Sequence, residues 1–429
     1  MFYPHKILLI VMIMALTGCM SSKPYRYILS ADRCVYTNKN DCESEAQTIS
    51  SVAKDTTYQL SFFEFDDQGR LHLPDQKKQI MDRYRNIASK EDVLLLTFVH
   101  GWHHNADGSP EDSNIVDFRE MLAQAAKALP TKQVLGAYIG WRGDSFRTEI
   151  PVIEIDFFNW ITFWERKSTA HEIGTQGLTA LLLELEDVVE PIGGKEHRMV
   201  TIGHSFGGAA LYSAVGPILE ERLVSNRPFT SENGVEGFGD LVVLLNPAFE
   251  ALKYYSLFHL SQDQCRAYPG TQRPKLVTVS SPHDFPVSWL FPTGRRLNVL
   301  FEAHRDADNV QCTRNGPDDF LLIQSKADRY AIGHYTPFIT HDLEMSPGVK
   351  SAFSQKTDVK SYSQIWTKQV AEGVFTFNDM ILTSKDRTKP GNPYFNIWTE
   401  DEEITDGHND IWTMPLKTFL YDLVFLSSE

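Results

Sequence analysis

The sequence predicts an α/β protein with a mostly parallel central sheet flanked by helices. Short apolar runs that suit buried strands recur along the chain, and amphipathic stretches that suit helices separate them. The chain is also large enough, because 429 residues with 42% hydrophobic content can bury a sizeable core. Strands separated by helices imply right-handed crossovers, which give a parallel sheet covered on both faces.

The elements alternate along the chain. The predicted strands are apolar runs bounded by turn residues, at 57–65, 92–102, 133–141, 198–203, 241–246, 275–280 and 394–400. The predicted helices have amphipathic spacing, at 76–88, 114–128, 168–189, directly after Ser205, and at 414–426. This alternation predicts a single domain over 56–429. A polar, turn-rich stretch at about 301–385 interrupts the alternation of strands and helices, and we interpret it as an insertion before the last strand.

The first residues are predicted to lie outside this domain. A weakly basic start and an apolar run at 7–16, too short to cross a bilayer, are typical of a signal peptide over residues 1–18. Leu16-Thr17-Gly18-Cys19 resembles the lipobox of bacterial lipoproteins, which implies a lipid on Cys19 and a membrane anchor. Met20 resembles the residue found in lipoproteins sorted to the outer membrane of the bacterial cell envelope. The alternative is an ordinary secretory signal with an incidental cysteine. Polar residues 19–55 are predicted to form a tether.

Charge and cysteine content exclude some classes of protein. A net charge of −15 without a basic patch argues against binding of nucleic acid. Besides Cys19 there are four cysteines, an even number in an oxidising compartment, and they allow three pairings. Nearness in sequence favours Cys34–Cys42 and Cys265–Cys312. Neither pair has the spacing of a zinc or redox site, and no metal or cofactor is predicted.

The stretch Gly203-His204-Ser205-Phe206-Gly207 has the pattern G-x-S-x-G. An apolar predicted strand precedes it, and a helix rich in small residues follows. A sharp strand-to-helix turn forces the serine into strained backbone geometry, the flanking glycines leave room for it, and the helix N-terminus offers amides to an oxyanion. This context predicts that Ser205 is a nucleophile. The alternative is a glycine-rich turn with an idle serine.

On this motif, on Phe98-Val99-His100-Gly101-Trp102, and on the order of elements, the chain resembles the α/β-hydrolase family. The resemblance implies an esterase, a lipase or a related serine hydrolase, with the order serine, acid, histidine along the chain. It also implies an oxyanion hole formed by the N–H groups of Trp102 (or His103) and Phe206. A metal site among the histidines at 100, 103 and 104 is the alternative, but no carboxylate or cysteine accompanies them locally.

Two acids and two histidines are candidates for the remaining roles. Asp284 lies in a proline-containing loop just after the strand at 275–280, and Glu250 follows the preceding strand. His408 lies in a loop between the last predicted strand and the final helix. His334 is the competitor, because the 124 residues between Asp284 and His408 are long for one connection. A clear closing helix follows His408 and none follows His334, which favours Asp284 and His408, with Glu250 and His334 as alternatives.

The predicted chemistry is cleavage of a carboxylic ester through an acyl-enzyme, in which histidine takes the proton of serine and the acid stabilises the imidazolium. The alternative is a non-catalytic envelope lipoprotein that uses the same fold for binding or scaffolding. Five aromatic residues at 157–164 are either a hydrophobic wall for an acyl chain or part of the core. The expected partners are a small-molecule or lipid ester and the membrane.

Overall fold

The computed structural model describes residues 23–37, 42–102, 104–107, 113–142, 156–190, 193–225, 234–262, 266–299, 302–304, 306–309, 320–349, 359–386 and 388–428. Four positions singled out in the sequence lie outside these residues: Cys19, His103, Cys265 and Cys312. The predicted signal peptide lies outside them too. The side chains of 157–164 are likewise not described, so both interpretations of that aromatic stretch stay predictions.

Helices and strands alternate through most of the described chain. The strands are β1 Cys34–Val35, β2 Gln47–Ala53, β3 Thr56–Phe65, β4 Asp92–Val99, β5 Lys132–Trp141, β6 Arg198–His204, β7 Leu241–Leu245, β8 Leu276–Ser280, β9 Asp306–Asn309, β10 Phe320–Ile323, β11 His341–Met345, β12 Val374–Phe377, β13 Met380–Ser384 and β14 Tyr394–Trp398. The α-helices are α1 Pro74–Ala88, α2 Ser113–Ala128, α3 Asp156–Ile173, α4 Thr179–Val188, α5 Phe206–Ser225, α6 Ala251–Gln262, α7 Phe291–Asn298, α8 Gln324–Ala327, α9 Val359–Glu372 and α10 Met414–Ser428. Short π and 3-10 turns occupy Gly174–Leu178, Pro286–Leu290, Ile332–His334 and Thr336–Phe338.

Twelve described strands form one sheet in the order β1-β2-β3-β5-β4-β6-β7-β8-β14-β11-β13-β12. Every neighbouring pair from β3 to β11 in this order is parallel, and the antiparallel pairs lie toward the two edges. Strands β9 and β10 pair separately. The predicted α/β class with a mostly parallel sheet is confirmed.

Both faces of the sheet are buried, because successive side chains of a strand point to opposite sides. In β4, Leu95 belongs to the core cluster that contains Leu211 of α5, whereas Leu94 and Leu96 belong to the cluster that contains Phe118 of α2. All three leucines have no exposed surface. This two-sided burial explains why the central strands read as continuous apolar runs.

The prediction of a tether over 19–55 is wrong for the described part of that segment. Strand β2 pairs antiparallel with β3 from Gln47 onward, and a disulfide joins Cys34 to Cys42. Arg26 is buried and donates from Nε to the carbonyl of Ala106 at 2.6 Å. The polar residues of this segment therefore lie on the domain, because edge pairing and side-chain hydrogen bonds satisfy them without an apolar run.

The stretch at 301–385 also contributes to the main sheet. Strand β11 pairs parallel with β14, and β13 and β12 continue the sheet in antiparallel order. The sequence analysis did not predict these three strands, which are only four or five residues long. Among the described residues, no helix combines the length and the apolar character that crossing a bilayer requires.

Candidate active site

Ser205 lies at a sharp turn between β6 and α5. Its φ is 55°, in the left-handed region that costs a residue with a Cβ about 1–2 kcal/mol. The turn is held from the end of β7, since the N–H of Ser205 donates to the carbonyl of Leu245 at 3.0 Å. The carbonyl of Ser205 accepts from the N–H groups of Ala209 and Ala248, each at 3.1 Å. The surrounding backbone thus fixes a strained conformation at one serine.

Three glycines let the backbone approach this turn closely. A Cβ on Gly101 would lie 2.8 Å from the Cβ of Ser205, and a Cβ on Gly203 would lie 2.9 Å from the carbonyl oxygen of Gly207. A Cβ on Gly207 would lie only 2.2 Å from the carbonyl oxygen of Val99. A side chain at any of these three positions would collide with neighbouring atoms, so glycine is required at each of them.

We expect Gly207→Ala to destabilise the protein by about 3 kcal/mol, because the new methyl group would collide with rigid backbone. Urea unfolding followed by circular dichroism measures this change. Gly208→Ala is the matched control in the same helix. Its Cβ would meet the Cβ of Pro247 at 3.0 Å, and the gain in helix propensity of about 1 kcal/mol offsets that contact. Equal stabilities for the two variants would contradict the steric argument.

A chain of hydrogen bonds joins Ser205, His408 and Asp284. Ser205 Oγ lies 2.6 Å from His408 Nε2, and His408 Nδ1 lies 2.8 Å from Asp284 Oδ1. Asp284 is fully buried, and its Oδ1 also accepts from the N–H of Val287 at 3.0 Å. With Nδ1 protonated, His408 donates to the carboxylate and leaves Nε2 as the acceptor for the serine hydroxyl. The three side chains follow β6, β14 and β8, whose carboxyl ends meet at one edge of the parallel sheet.

Two residues that the sequence analysis missed hold the loop of His408. His204 Nε2 donates to the carbonyl oxygen of His408 at 2.8 Å. Asn246 Nδ2 donates to the same oxygen at 3.2 Å and to the carbonyl of Gly407 at 3.3 Å. Burial, followed by the nearby His408, lowers the pKa of His204 well below its usual value, so its ring is neutral. His204 and Asn246 both lie at the carboxyl ends of strands. Their position at the ends of predicted strands was the sequence signal that could have identified them as site residues.

His334 lies near these residues but outside the hydrogen-bonded chain. Its ring packs edge-on against Trp398, with centroids 5.3 Å apart. Burial lowers the pKa of His334, while the charge of Asp284 opposes that shift and His408 adds to it. Within the described part of the chain, His334 Nε2 has no hydrogen-bond partner. Ser205 is therefore bonded to His408 and not to His334.

Glu250 is placed in a buried ion cluster instead of beside His408. Its carboxylate pairs with Lys167 and, at 3.2 Å, with Arg295, while Lys253 lies 3.8 Å away. Burial alone would raise the pKa of Glu250, but Lys167, Lys253 and Arg295 outweigh burial and lower it to about 2. Glu250 is thus ionised at neutral pH and compensates the charge of buried cations. The structure brings Asp284, and not Glu250, to His408.

We expect Glu250→Gln to lower the free energy of unfolding by about 3 kcal/mol at pH 7, because it leaves the buried ammonium group of Lys167 without its carboxylate partner. The folded pKa lies below the ordinary value of 4.5, so this stabilisation is present above pH 4.5 and is lost as the pH falls toward about 2. The difference between wild type and variant should therefore shrink between pH 4.5 and pH 2. Urea unfolding at several pH values measures it, and a difference that does not change with pH would refute the role of the ion cluster.

The predicted oxyanion donors lie partly within the described residues. Phe206 is the first residue of α5, where backbone N–H groups point out of the helix end. The ring of Trp102 lies 6.3 Å from that of Phe206, and the adjoining Gly101 approaches Ser205 as closely as the absence of a side chain allows. His103, the alternative donor, is outside the described residues.

The two described histidines of the upstream loop, His100 and His104, belong to no group with metal-ligand spacing. His100 Nε2 accepts from the N–H of Trp141 at 3.0 Å, and its ring stacks on that indole. Elsewhere among the described residues, two groups have ligand spacing: His283 with Glu402 and Asp406, and Glu302 with His304 and Asp328. In the second group Asp328 already pairs with Arg295 at 2.8 Å, and the first group is largely exposed, so neither carries a metal assignment.

A cavity of about 680 Å³ lies beside His334, along the carboxyl ends of β14 and β11. Its walls combine apolar side chains such as Met345 and Trp398 with carboxylates such as Asp342 and Glu400. This volume is in the range of small-molecule sites. Its lining includes His334 but neither Ser205 nor His408, so the cavity is separate from the hydrogen-bonded chain.

Comparison with known proteins adds no argument about the fold or the function of this chain. No family model matches the chain, and no curated protein matches it. Among solved structures, a protein assigned as a YdeN-like hydrolase from Pectobacterium atrosepticum is 15% identical, with a TM-score of 0.16 over 52% of this chain and 78% of that one. At that TM-score the likeness carries no argument, and the functional conclusion rests on the geometry.

Proposed function

We propose that this protein is a serine hydrolase of the α/β-hydrolase type that cleaves a carboxylic ester. In this proposal Ser205 is the nucleophile, His408 the general base and Asp284 the acid that orients it. The observation that carries the proposal is the hydrogen-bonded chain from Ser205 Oγ through His408 to Asp284 Oδ1. The strained turn at Ser205 supports it, because strain of this kind persists where a fold over-determines a reactive group.

The proposed reaction has two halves. As Ser205 Oγ attacks the ester carbon, its proton moves to His408 Nε2, and the C=O electron pair becomes an oxyanion. The N–H groups of Phe206 and of Trp102 or His103 stabilise that oxyanion, for which one donor contributes about 3–4 kcal/mol in related sites. When the oxyanion collapses, the alcohol leaves with the proton from His408. Water then attacks the acyl-enzyme by the same route and releases the acid.

A fluorophosphonate probe tests this proposal, because it bonds covalently to an activated serine with loss of fluoride. Intact mass should increase by a single adduct, and peptide mapping should place the adduct on Ser205. Heat-unfolded protein is the control and should take no label. Folded protein that takes no label would refute the proposal and leave the non-catalytic lipoprotein. A chain-length series of p-nitrophenyl esters then separates a carboxylesterase from a lipase.

We expect Asp284→Asn to lower kcat by about 10⁴-fold, because an amide cannot hold the tautomer of His408 or stabilise its imidazolium. Glu250→Gln is the comparison, since both changes remove one buried carboxylate charge. It should reduce stability but leave kcat within about twofold in folded protein, as its carboxylate pairs with Lys167. If Glu250→Gln abolished hydrolysis instead, the acid would be misassigned. Steady-state kinetics with p-nitrophenyl acetate measures both variants.

We further propose that a lipid on Cys19 anchors the mature protein to the outer membrane of a bacterial cell. The lipobox-like sequence Leu16-Thr17-Gly18-Cys19 supports this placement. Cys19→Ser should remove the lipid and release the protein from the membrane fraction, which fractionation and intact mass measure. A wild-type protein whose intact mass carries no lipid would contradict the anchor.

A further inference from the structure

The N-terminal segment is fastened to the domain almost at its first described residue. The N–H groups of Tyr25 and Arg26 donate to the two carboxylate oxygens of Glu64, at 3.0 and 2.7 Å. Gln76 Nε2 donates to the carbonyl of Arg26 at 2.9 Å, and the Arg26 side chain is buried. From Tyr25 onward the chain is therefore part of the folded surface.

This attachment lies at the carboxyl ends of the parallel strands, the same side of the sheet as Ser205; this side is called the carboxyl edge below. In the register of the parallel strands, Glu64 pairs with Gly140, and the preceding row joins Ile139, Val99 and Gly203. Glu64 is thus level with the residue before Ser205. Three strand spacings separate β3 from β6, which places the attachment about 14 Å from that residue along the edge.

The distance from the proposed lipid to this edge is short. Five residues lie between Cys19 and Tyr25, and the six Cα-to-Cα steps from one to the other span at most about 20 Å when fully extended. The opposite edge of the sheet is a further 26 Å or so away, the length of an eight-residue strand such as β4. A lipid on Cys19 therefore keeps the edge that carries Ser205 near the bilayer surface and the opposite edge away from it.

Exposed apolar side chains are present on this edge. Phe285 and Trp289, on the turn that follows Asp284, are each 58% exposed and stack with ring centroids 5.6 Å apart. Met414, at the start of α10 just after the His408 loop, is 70% exposed. Tryptophan and other amphipathic rings favour the interface between bilayer and water. These side chains suit contact with a lipid surface better than contact with water.

We infer that the carboxyl edge of the sheet is a membrane-contacting surface, with Phe285 and Trp289 inserted at the lipid interface beside Ser205. The inference rests on the lipid anchor and the hydrolase activity proposed above, and it names the substrate class: an ester that resides in the bilayer and reaches Ser205 from its surface. The proposed binding partner of this surface is the lipid bilayer and not another protein.

The first test compares hydrolysis of a long-chain ester held in vesicles of phosphatidylethanolamine and phosphatidylglycerol with hydrolysis of a short soluble ester. In the mature lipidated protein, the double variant Phe285→Ser, Trp289→Ser should lower the ratio of vesicle rate to soluble rate by about tenfold. Leu183→Ser on α4, a comparably exposed position at 42%, is the matched control and should leave the ratio unchanged. Inserting about 20 glycine and serine residues after Ser22 should also lower the ratio, because a longer tether relaxes the orientation.

The second test does not depend on activity. Brominated phospholipids in the same vesicles should quench the fluorescence of Trp289, seen as the difference between wild type and Trp289→Phe. No such difference, or an unchanged ratio in the double variant, would overturn the inference. Quenching without hydrolysis of either ester would refute the hydrolase proposal while the membrane-contacting surface stands. Hydrolysis of the soluble ester without quenching would refute the membrane-contacting surface while the hydrolase proposal stands.

Discussion

Replacing Ser205 with alanine is expected to lower the rate of ester hydrolysis by about a million-fold. In the proposed mechanism the change removes the oxygen that would form the acyl-enzyme, and groups that act as one unit fail together when one is removed. The remaining rate, about 10³-fold above that of water alone, comes from the oxyanion donors and from substrate binding. Measurement of kcat/KM with p-nitrophenyl acetate, with folding checked by circular dichroism, gives the result.

Ser213→Ala is the matched control for this variant, because Ser213 lies on the same helix α5. Its hydroxyl contacts His171 Nδ1 at 2.8 Å and donates to the carbonyl of Ala209, away from the hydrogen-bonded chain of Ser205. We expect kcat/KM to stay within about twofold of wild type. If Ser205→Ala kept most of the wild-type rate, another residue would be the nucleophile and the proposed mechanism would be wrong.

The second large effect is expected at His408. His408→Ala removes the proposed general base, which would take the proton of Ser205 and return it to the leaving alcohol, so kcat should fall by about 10⁴–10⁶-fold. His334→Ala is the informative comparison, since both histidines lie near Asp284. The His334 ring packs on Trp398 and does not contact Ser205, so its loss should cost stability more than kcat.

Steady-state kinetics and urea unfolding on the two histidine variants distinguish these roles. The expected pattern is a folded, inactive His408→Ala and a somewhat less stable His334→Ala whose kcat remains within about tenfold of wild type. The opposite pattern, with hydrolysis lost only in His334→Ala, would make His334 the base. The fluorophosphonate probe should label His334→Ala and not His408→Ala, because the probe needs the activated serine.

The central part of the fold could be predicted because burial on both faces leaves a strong signal in the sequence. Strands β4 to β8 are mostly apolar, β3 carries recurring apolar residues, and the amphipathic helices between the strands enforce parallel pairing. Parallel pairing then implies that residues after different strands meet at one edge. For this reason Ser205, Asp284 and His408 could be named together from sequence, although 203 residues separate the first from the last.

The outermost strands of the sheet could not be predicted in this way. Strand β2 carries the polar sequence QTISSVA, and its pairing with β3 is satisfied by the backbone and by contacts such as Gln47 Nε2 to Ser61 Oγ. Strands β11 to β13 are short and only partly buried, so they lack an apolar run. The roles of His204 and Asn246 depend on where the distant His408 loop folds back, which local sequence does not encode.

The left-handed backbone at Ser205 has a consequence for how this chain evolves. Glycine at 205 would adopt a φ of 55° without steric cost, which would relieve about 1–2 kcal/mol of backbone strain, while the greater entropy of glycine in the unfolded chain would offset about 0.5–1 kcal/mol of it. Selection for stability alone would thus favour glycine at this position. A chain that keeps the hydroxyl exchanges stability for reactivity, and we expect stabilised descendants that have lost activity to carry glycine here.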